Sequence, residues 1–470
     1  MKMGFDKTEK FVMNRFNFST CLVSLNSKGI VLTVLSYLLS NYYLNCHKMK
    51  VDHFFIGNFW RCVLIRRVSG FGLLFIFILS VSILSPIQQL ASAATPTLTP
   101  AIMPAGQIGP QTYPDGVNPL TGLKVQNPEN LLLPPALVSI TNFPVSSRPQ
   151  AGLSYSPFVF EIYIGEGMTR YLAMFYGDFP KAGENSTGSG NSNTTTGTVG
   201  TVTDNAMVGP IRSGRLPYEG IRKLFNGFLV MASGSSAVVP SLNQYTNVYG
   251  SDASSPNSAM IDVTKLEQIA EKNQNRIGEL SLQGLAFNDA IPAGGVTGNR
   301  IWLMYAYLNQ VNWLFDANSG TYNRYQDHAD GITFDLMTDR LNGEALTFEN
   351  VVILFAPHEV VTPTIIDINM MYMKKMPALL FRDGQMFKIY WTTISEQYER
   401  STGKLRPIRF LDENGNAFPL KPGQTWVEVV QQFTPYYEVP DSSYIYDLKN
   451  KTEPGSGVWA VRWYPPEGAR

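Results

Sequence analysis

Residues 158–176 read Phe-Val-Phe-Glu-Ile-Tyr-Ile-Gly-Glu-Gly-Met-Thr-Arg-Tyr-Leu-Ala-Met-Phe-Tyr: two apolar arms about a glycine-rich centre. Phe, Val, Ile and Tyr favour a pleated, half-buried backbone. The stretch predicts a strand over 158–164, a turn at Gly165-Glu166-Gly167 and a returning strand over 170–176, together a hairpin. One residue is out of keeping with the first arm. The Glu161 carboxylate sits inside an apolar strand and is costly to bury unless it is paired or protonated. Side chains alternate along a strand, so the turn register decides whether Glu161 and Arg170 share a face.

Working outward, 137–141 is a short apolar strand candidate. Asn142 and Arg148 follow it in Thr141-Asn142-Phe143-Pro144 and Ser147-Arg148-Pro149-Gln150, where Asx-type bonds and proline rigidity make turns. Beyond the hairpin, 181–205 is Gly, Ser, Thr and Asn. It has too little apolar surface to offset its ordering entropy, which predicts a disordered insertion within one domain. Pro217 suits a first helical position. Tyr218, Ile221, Leu224 and Phe225 would share one helical face, with Gly227 as the stop. The pattern returns to strand at 228–232, and Asp262 is placed to cap a second helix over 263–272. From 285 to 430 the chain reads as β, with strands at 300–307, 311–315, 351–355, 378–382, 386–391 and 426–430. Turns fall at Arg382-Asp383-Gly384 and Glu413-Asn414-Gly415. The tail, 431–470, is aromatic and proline-rich and is expected to wrap the surface. The fold class this predicts is α+β: an α/β layered domain over 118–290, then a mostly β domain over 291–430.

The N-terminal region has a different character. Arg61, Arg66 and Arg67 precede an apolar run at 71–84, followed by Pro86 and Ala91-Ser92-Ala93. A positive flank, a short apolar core and small residues at a cleavage point make a secretory signal. The run falls short of the roughly 20 residues a spanning helix needs. Residues 1–93 therefore read as a targeting region, secreted or left as an anchor, and 94–117 as a Thr/Pro-rich linker. Met49 would start a signal of ordinary length; a membrane hairpin of 30–44 with 71–84 is the alternative. All three cysteines (Cys21, Cys46, Cys62) lie before residue 94, so the folded part would hold no thiol.

The chain has 37 basic and 37 acidic residues, but ten of the basic and three of the acidic ones lie in 1–93. The remainder carries 27 against 34, a net charge of −7, which argues against a nucleic-acid surface. Contact with a membrane is expected only through the N-terminal segment.

Three groupings bear on chemistry. Gly209-Pro210-Ile211-Arg212-Ser213-Gly214-Arg215 leads into the Pro217 helix, where backbone N–H groups and Arg212 and Arg215 would meet a carboxylate or phosphate. The bland alternative is that each arginine pairs with an internal acid such as Glu161. Glu161 and Glu166 are the second grouping, a structural pair or the acid pair of a glycan hydrolase. The third is Asp327-His328-Ala329-Asp330, which as one histidine in a turn reads as a solvated loop rather than a metal site. No nucleophile elbow or phosphate-binding loop is present, and no cofactor is expected.

Several blocks together resemble a known family. Asn118-Pro119-Leu120-Thr121-Gly122-Leu123, Arg148-Pro149-Gln150-Ala151-Gly152-Leu153, Glu166-Gly167-Met168-Thr169-Arg170-Tyr171 and Gly209-Pro210-Ile211-Arg212-Ser213 resemble the YerB-like family of bacterial envelope lipoproteins. Phe315-Asp316 with Tyr322 to Tyr325, Asn350-Val351-Val352, Phe381-Arg382-Asp383-Gly384 and Pro422-Gly423-Gln424-Thr425-Trp426 resemble that family's separate C-terminal domain of unknown function. The resemblance spans 118–430 and implies an envelope compartment and a two-domain split, not a reaction. Three departures stand out: no lipid-attachment cysteine follows the signal, 181–205 is an insertion, and Ser255-Pro256-Asn257 lacks the histidine the family has there.

The resulting expectation is an exported envelope protein that binds an anionic ligand or a partner protein without catalysis. Arg212, Ser213, Arg215, Arg170, Glu161, Asn142 and Arg148 form the expected site, with Glu161 fixing one of the arginines. A wall-glycan hydrolase using Glu161 and Glu166, and a purely structural surface module, are the alternatives.

Overall fold

The computed structural model describes residues 108–180, 207–249, 259–442, 447 and 450–469. The targeting region, the linker up to 107, the insertion 181–205 and Ser255-Pro256-Asn257 lie outside the described residues.

The hairpin forms as its sequence dictates. Strand Phe158–Gly165 pairs antiparallel with Met168–Phe175 across a bend at Glu166-Gly167. Both bend residues have positive φ, 54° and 76°, so the turn has the primed geometry that matches strand twist. In this register Ile162 faces Arg170 and Glu161 faces Tyr171. Glu161 and Arg170 therefore project from opposite faces of the sheet.

The hairpin sits inside an eleven-stranded sheet. On one side Met168–Phe175 pairs with Ala136–Thr141, which is followed by Phe228–Met231 and Tyr245–Asn247. On the other side Phe158–Gly165 pairs in parallel with Thr425–Gln431, which is followed by Asn350–Ala356, Met376–Arg382 and Gln385–Thr392. A second sheet of seven strands is built on Arg300–Ala306, Asn309–Asp316 and Thr321–Asp327. Its inner side chains (Ile301, Leu303, Val311, Trp313, Tyr322) pack against Val159, Tyr171, Val351 and Trp426 in one shared core. The opposite face of the large sheet is covered by a separate core that includes Phe158, Phe160, Leu172 and helix residues Tyr218, Ile221, Leu224 and Phe225.

The fold is thus mostly β with few helices, and four expectations change. First, α/β layering of 118–290 is not confirmed. Among its described residues there are two α-helices, Pro217–Leu224 and Val263–Ile277, and the hairpin's Glu161 face is covered largely by the second sheet. Second, the boundary near 290 does not divide the sheet, because Thr425–Gln431 hydrogen-bonds directly to Phe158–Gly165. Both strands are buried on both faces, as is usual for a parallel pair. Third, the end of the linker is folded: the Tyr113 hydroxyl donates to the Leu285 carbonyl at 2.5 Å, and burial raises its pKa. Fourth, the tail does not merely wrap the surface. Val458–Arg462 pairs in parallel with Arg300–Ala306, with Trp459 and Val461 buried in the main core.

The first helix ends differently from expectation. Asn226, at φ 51°, takes the left-handed position, and the Gly227 N–H bonds back to the Arg222 carbonyl. Gly227 is needed for room instead. A Cβ there would lie 2.3 Å from Leu137 Cδ1 and 2.5 Å from the Pro135 carbonyl oxygen. Gly227→Ala is expected to destabilise the protein by about 1–3 kcal/mol, read as a lower urea midpoint at unchanged slope. An unchanged midpoint would show that the contact relaxes freely. The second helix is capped by Asp262, whose side chain accepts from the Thr264 N–H at 2.7 Å, and it runs on to Ile277.

Candidate functional site

Arg170 leaves the hairpin on the face of the Pro217–Leu224 helix, where Leu172 and Met174 also point. Segment 209–215 is laid beside it by backbone bonds. The Arg212 N–H donates to the Ser139 carbonyl and the Gly214 N–H to that of Ser233, both at 2.8 Å. A Cβ on Gly214 would lie 2.4 Å from Met231 Sδ and 2.6 Å from Leu242 Cδ1, so the loop approaches these side chains closely. This places Arg215 next to Arg170. Arg170 Nη1 donates to the Ser213 carbonyl at 2.8 Å, and Arg215 Nη1 donates to the Gly214 carbonyl at 3.0 Å. Arg170 and Arg215, with Phe143, Ile164, Gly165, Glu166, Met168 and Thr364, line a cavity of about 210 Å³.

The electrostatics of this cleft are unbalanced. Arg170 is 8 % exposed, and its buried Nε has no hydrogen-bond partner. Among the described residues no carboxylate lies within ion-pair distance of Arg170 or Arg215. Burial, then the nearby Arg215 and Arg212 cations, bring Arg170 down to about 9. Burial likewise lowers Arg215.

The other face of the hairpin holds a sealed polar centre. Arg324, on Thr321–Asp327, donates from Nη2 to Glu161 Oε2 at 2.6 Å, and both side chains are fully buried. Its guanidinium carbon lies 4.5 Å from the Trp426 ring centre, 5.3 Å from that of Tyr171 and 5.6 Å from that of Trp313. Glu161 also accepts from the Thr169 hydroxyl at 2.6 Å. Across the parallel pair Glu161 stands opposite Glu428, whose carboxyl accepts from Tyr305 Oη at 3.0 Å and Trp313 Nε1 at 2.9 Å. Burial first, and then the Glu161 charge, raise Glu428 well above the ordinary carboxylate range. Arg324 is raised overall: Tyr171, Glu161 and Glu428 outweigh the burial that acts against its charge.

The expected site residues therefore divide. Arg170, Arg212, Ser213 and Arg215 meet on one face of the large sheet. Glu161, Asn142 and Arg148 belong to the other. Asn142 Nδ2 donates to Thr169 Oγ1 at 2.8 Å, and Arg148 donates to the Asn142 and Asp327 carbonyls. Glu161 fixes neither Arg212 nor Arg215, because the register turns it away from them and Arg324 meets it. Ser213 enters through its carbonyl. The N–H groups of Gly209, Ile211, Arg212 and Gly214 are taken by Ala151, Ala259, Ser139 and Ser233, so these four are not offered to an anion. Glu166 is exposed at the rim of the arginine cleft while Glu161 is sealed between the sheets, so the two carboxyls do not share a cavity. His328 is engaged by Asp335, and Asp327 accepts from the Gln310 and Gly331 N–H groups.

Residues 120–276 match the N-terminal domain, and residues 301–427 the C-terminal domain, of the family described as "Protein of unknown function (DUF3048)". The chain belongs to this family. A relative from Bacillus subtilis (strain 168), described as "Putative lipoprotein YerB", is 25% identical over 329 residues, 66% of this chain and 85% of the relative. The crystal structure of the YerB protein from Bacillus subtilis shares the fold at a TM-score of 0.50 and 22% identity, covering 67% of this chain and 96% of that one.

In this DUF3048 member Glu161 of the first matched region meets Arg324 of the second, with Glu428 directly after the second region's end. Arg324 and Glu428 were not legible as site residues. Glu428 carried the same signal as Glu161, an acid inside an apolar strand (Thr425-Trp426-Val427-Glu428-Val429-Val430). Arg324 carried only its place in the Tyr322 to Tyr325 block, since its strand, Thr-Tyr-Asn-Arg-Tyr-Gln-Asp, is mostly polar.

Proposed function

We propose that this protein is exported and works in the cell envelope as a noncatalytic binding protein, holding an anionic group of an envelope ligand or partner in the cleft lined by Arg170 and Arg215. The observation that carries the reading is Arg170: a nearly buried guanidinium with an unpartnered Nε, crowded by two other arginines. An anion entering the cleft would offset this repulsion and accept charge-assisted hydrogen bonds in a poorly hydrated place. The signal-like segment 61–93 and the lipoprotein wording of the YerB relative support the compartment. Among the described residues no helix is long and apolar enough to cross a membrane.

The test is retention of solubilised cell-wall fragments, and calorimetric titration of inorganic phosphate, with the wild type, Arg215→Met and Arg170→Met. Each variant is expected to bind about tenfold more weakly or worse, since a hydrogen bond to a charged group contributes about 1.5–3 kcal/mol. Equal binding by variants with wild-type thermal transitions would remove the reading.

A further inference from the structure

Glu166 lines the same small cavity as Arg170 and Arg215, yet it forms no ion pair with either. An acid and two arginines that share a cavity ordinarily collapse onto one another unless the backbone holds them apart. Here it does. Glu166 is fixed at the corner of the hairpin with φ 54°, in a primed turn that usually takes Asn, Asp or Gly. Arg170 is tied to the Ser213 carbonyl and Arg215 to that of Gly214. The same cavity is also lined by Phe143, Ile164 and Met168, which offer no counter-charge. A volume of about 210 Å³ corresponds to about seven waters' share of liquid volume, room for a handful of non-hydrogen atoms.

We infer that the cleft takes a small zwitterion: an anionic group held by Arg170 and Arg215, and an ammonium a few bonds away held by Glu166. This rests on the anion-binding reading above and adds the second charge. The ligand's two ends bridge groups that share the cavity without pairing with each other. The anion is a carboxylate, as in an amino acid, or a phosphate, as in a phosphorylated amino alcohol.

The test is calorimetric titration of the full-length protein, at low salt and pH 7, with two matched pairs: alanine against propionate, and O-phosphoethanolamine against ethyl phosphate. In the pair whose anion fits, the zwitterion is expected to bind about tenfold tighter than its ammonium-free counterpart. Glu166→Gln, at an exposed turn, is expected to close that gap. The pair showing the gap identifies the anion. Equal affinity within both pairs would overturn the zwitterion and leave the anion-binding reading standing. A gap that survives Glu166→Gln would overturn the role of Glu166. No binding by any of the four would overturn both readings.

Discussion

Arg324→Met lowers the unfolding free energy by about 3–5 kcal/mol, the cost of removing one partner from a buried ion pair. The cation lies between two sheets, with Glu161 at 2.6 Å and three aromatic rings about it. Without it, the Glu161 carboxylate stays buried with only the Thr169 hydroxyl at 2.6 Å and the Asn142 amide at 3.4 Å. The charge is not hydrated in compensation, because Trp313 and Trp426 close the space. Glu161→Gln should cost a similar amount from the other side. The double variant, Glu161→Gln with Arg324→Met, should recover much of the loss, since replacing both partners of a buried pair is often near neutral. Urea midpoints for the four proteins form the cycle. Additive losses in the double variant would mean that the pair is not coupled, and that Arg324 acts through its packing alone.

Glu428→Gln acts in the opposite direction and depends on pH. Burial and the adjacent Glu161 charge hold the native carboxyl protonated above the ordinary carboxylate range. Its contribution to stability is full below the unfolded-state pKa of about 4.3 and is lost as pH rises from there through the folded value. In that window the native state binds a proton that the unfolded chain has released. Stability therefore falls with a slope on the order of 1 kcal/mol per pH unit from this group. Glutamine keeps the shape of the protonated acid and has no proton to lose. The variant should match the wild type near pH 4 and exceed it increasingly as pH rises, until the folded carboxyl itself titrates, in urea melts across the neutral and acidic range. A variant with an unchanged pH slope would show that Glu428 titrates normally in the native protein.

These two residues show what was hard to read in the chain. Strand positions were legible because local periodicity carries them. The predicted runs at 351–355, 378–382 and 426–430 became Asn350–Ala356, Met376–Arg382 and Thr425–Gln431. Strand partners were not legible, because parallel pairing joins residues far apart in sequence. Nothing local to Phe158–Gly165 announces that Thr425–Gln431 lies beside it. The acid within the hairpin was visible, but its partner was assigned to Arg212 or Arg215. The turn register sends Glu161 and Arg170 to opposite faces, so the seven expected site residues fall into two places. Polar or aromatic composition also concealed elements: the strand bearing Arg324 was not predicted, and the tail strand Val458–Arg462 was taken for a surface wrap.

By itself the sequence determined the hairpin, the Asp262 helix cap and the gathering of arginines around 209–215, because each follows from residues within one or two turns of chain. The tertiary structure alone decided which charge meets which. A buried carboxylate is satisfied by whatever cation the sheet register brings within hydrogen-bond reach. That register is set by long-range packing, which joins Glu161 to Arg324 and leaves Arg170 and Arg215 facing an open cleft.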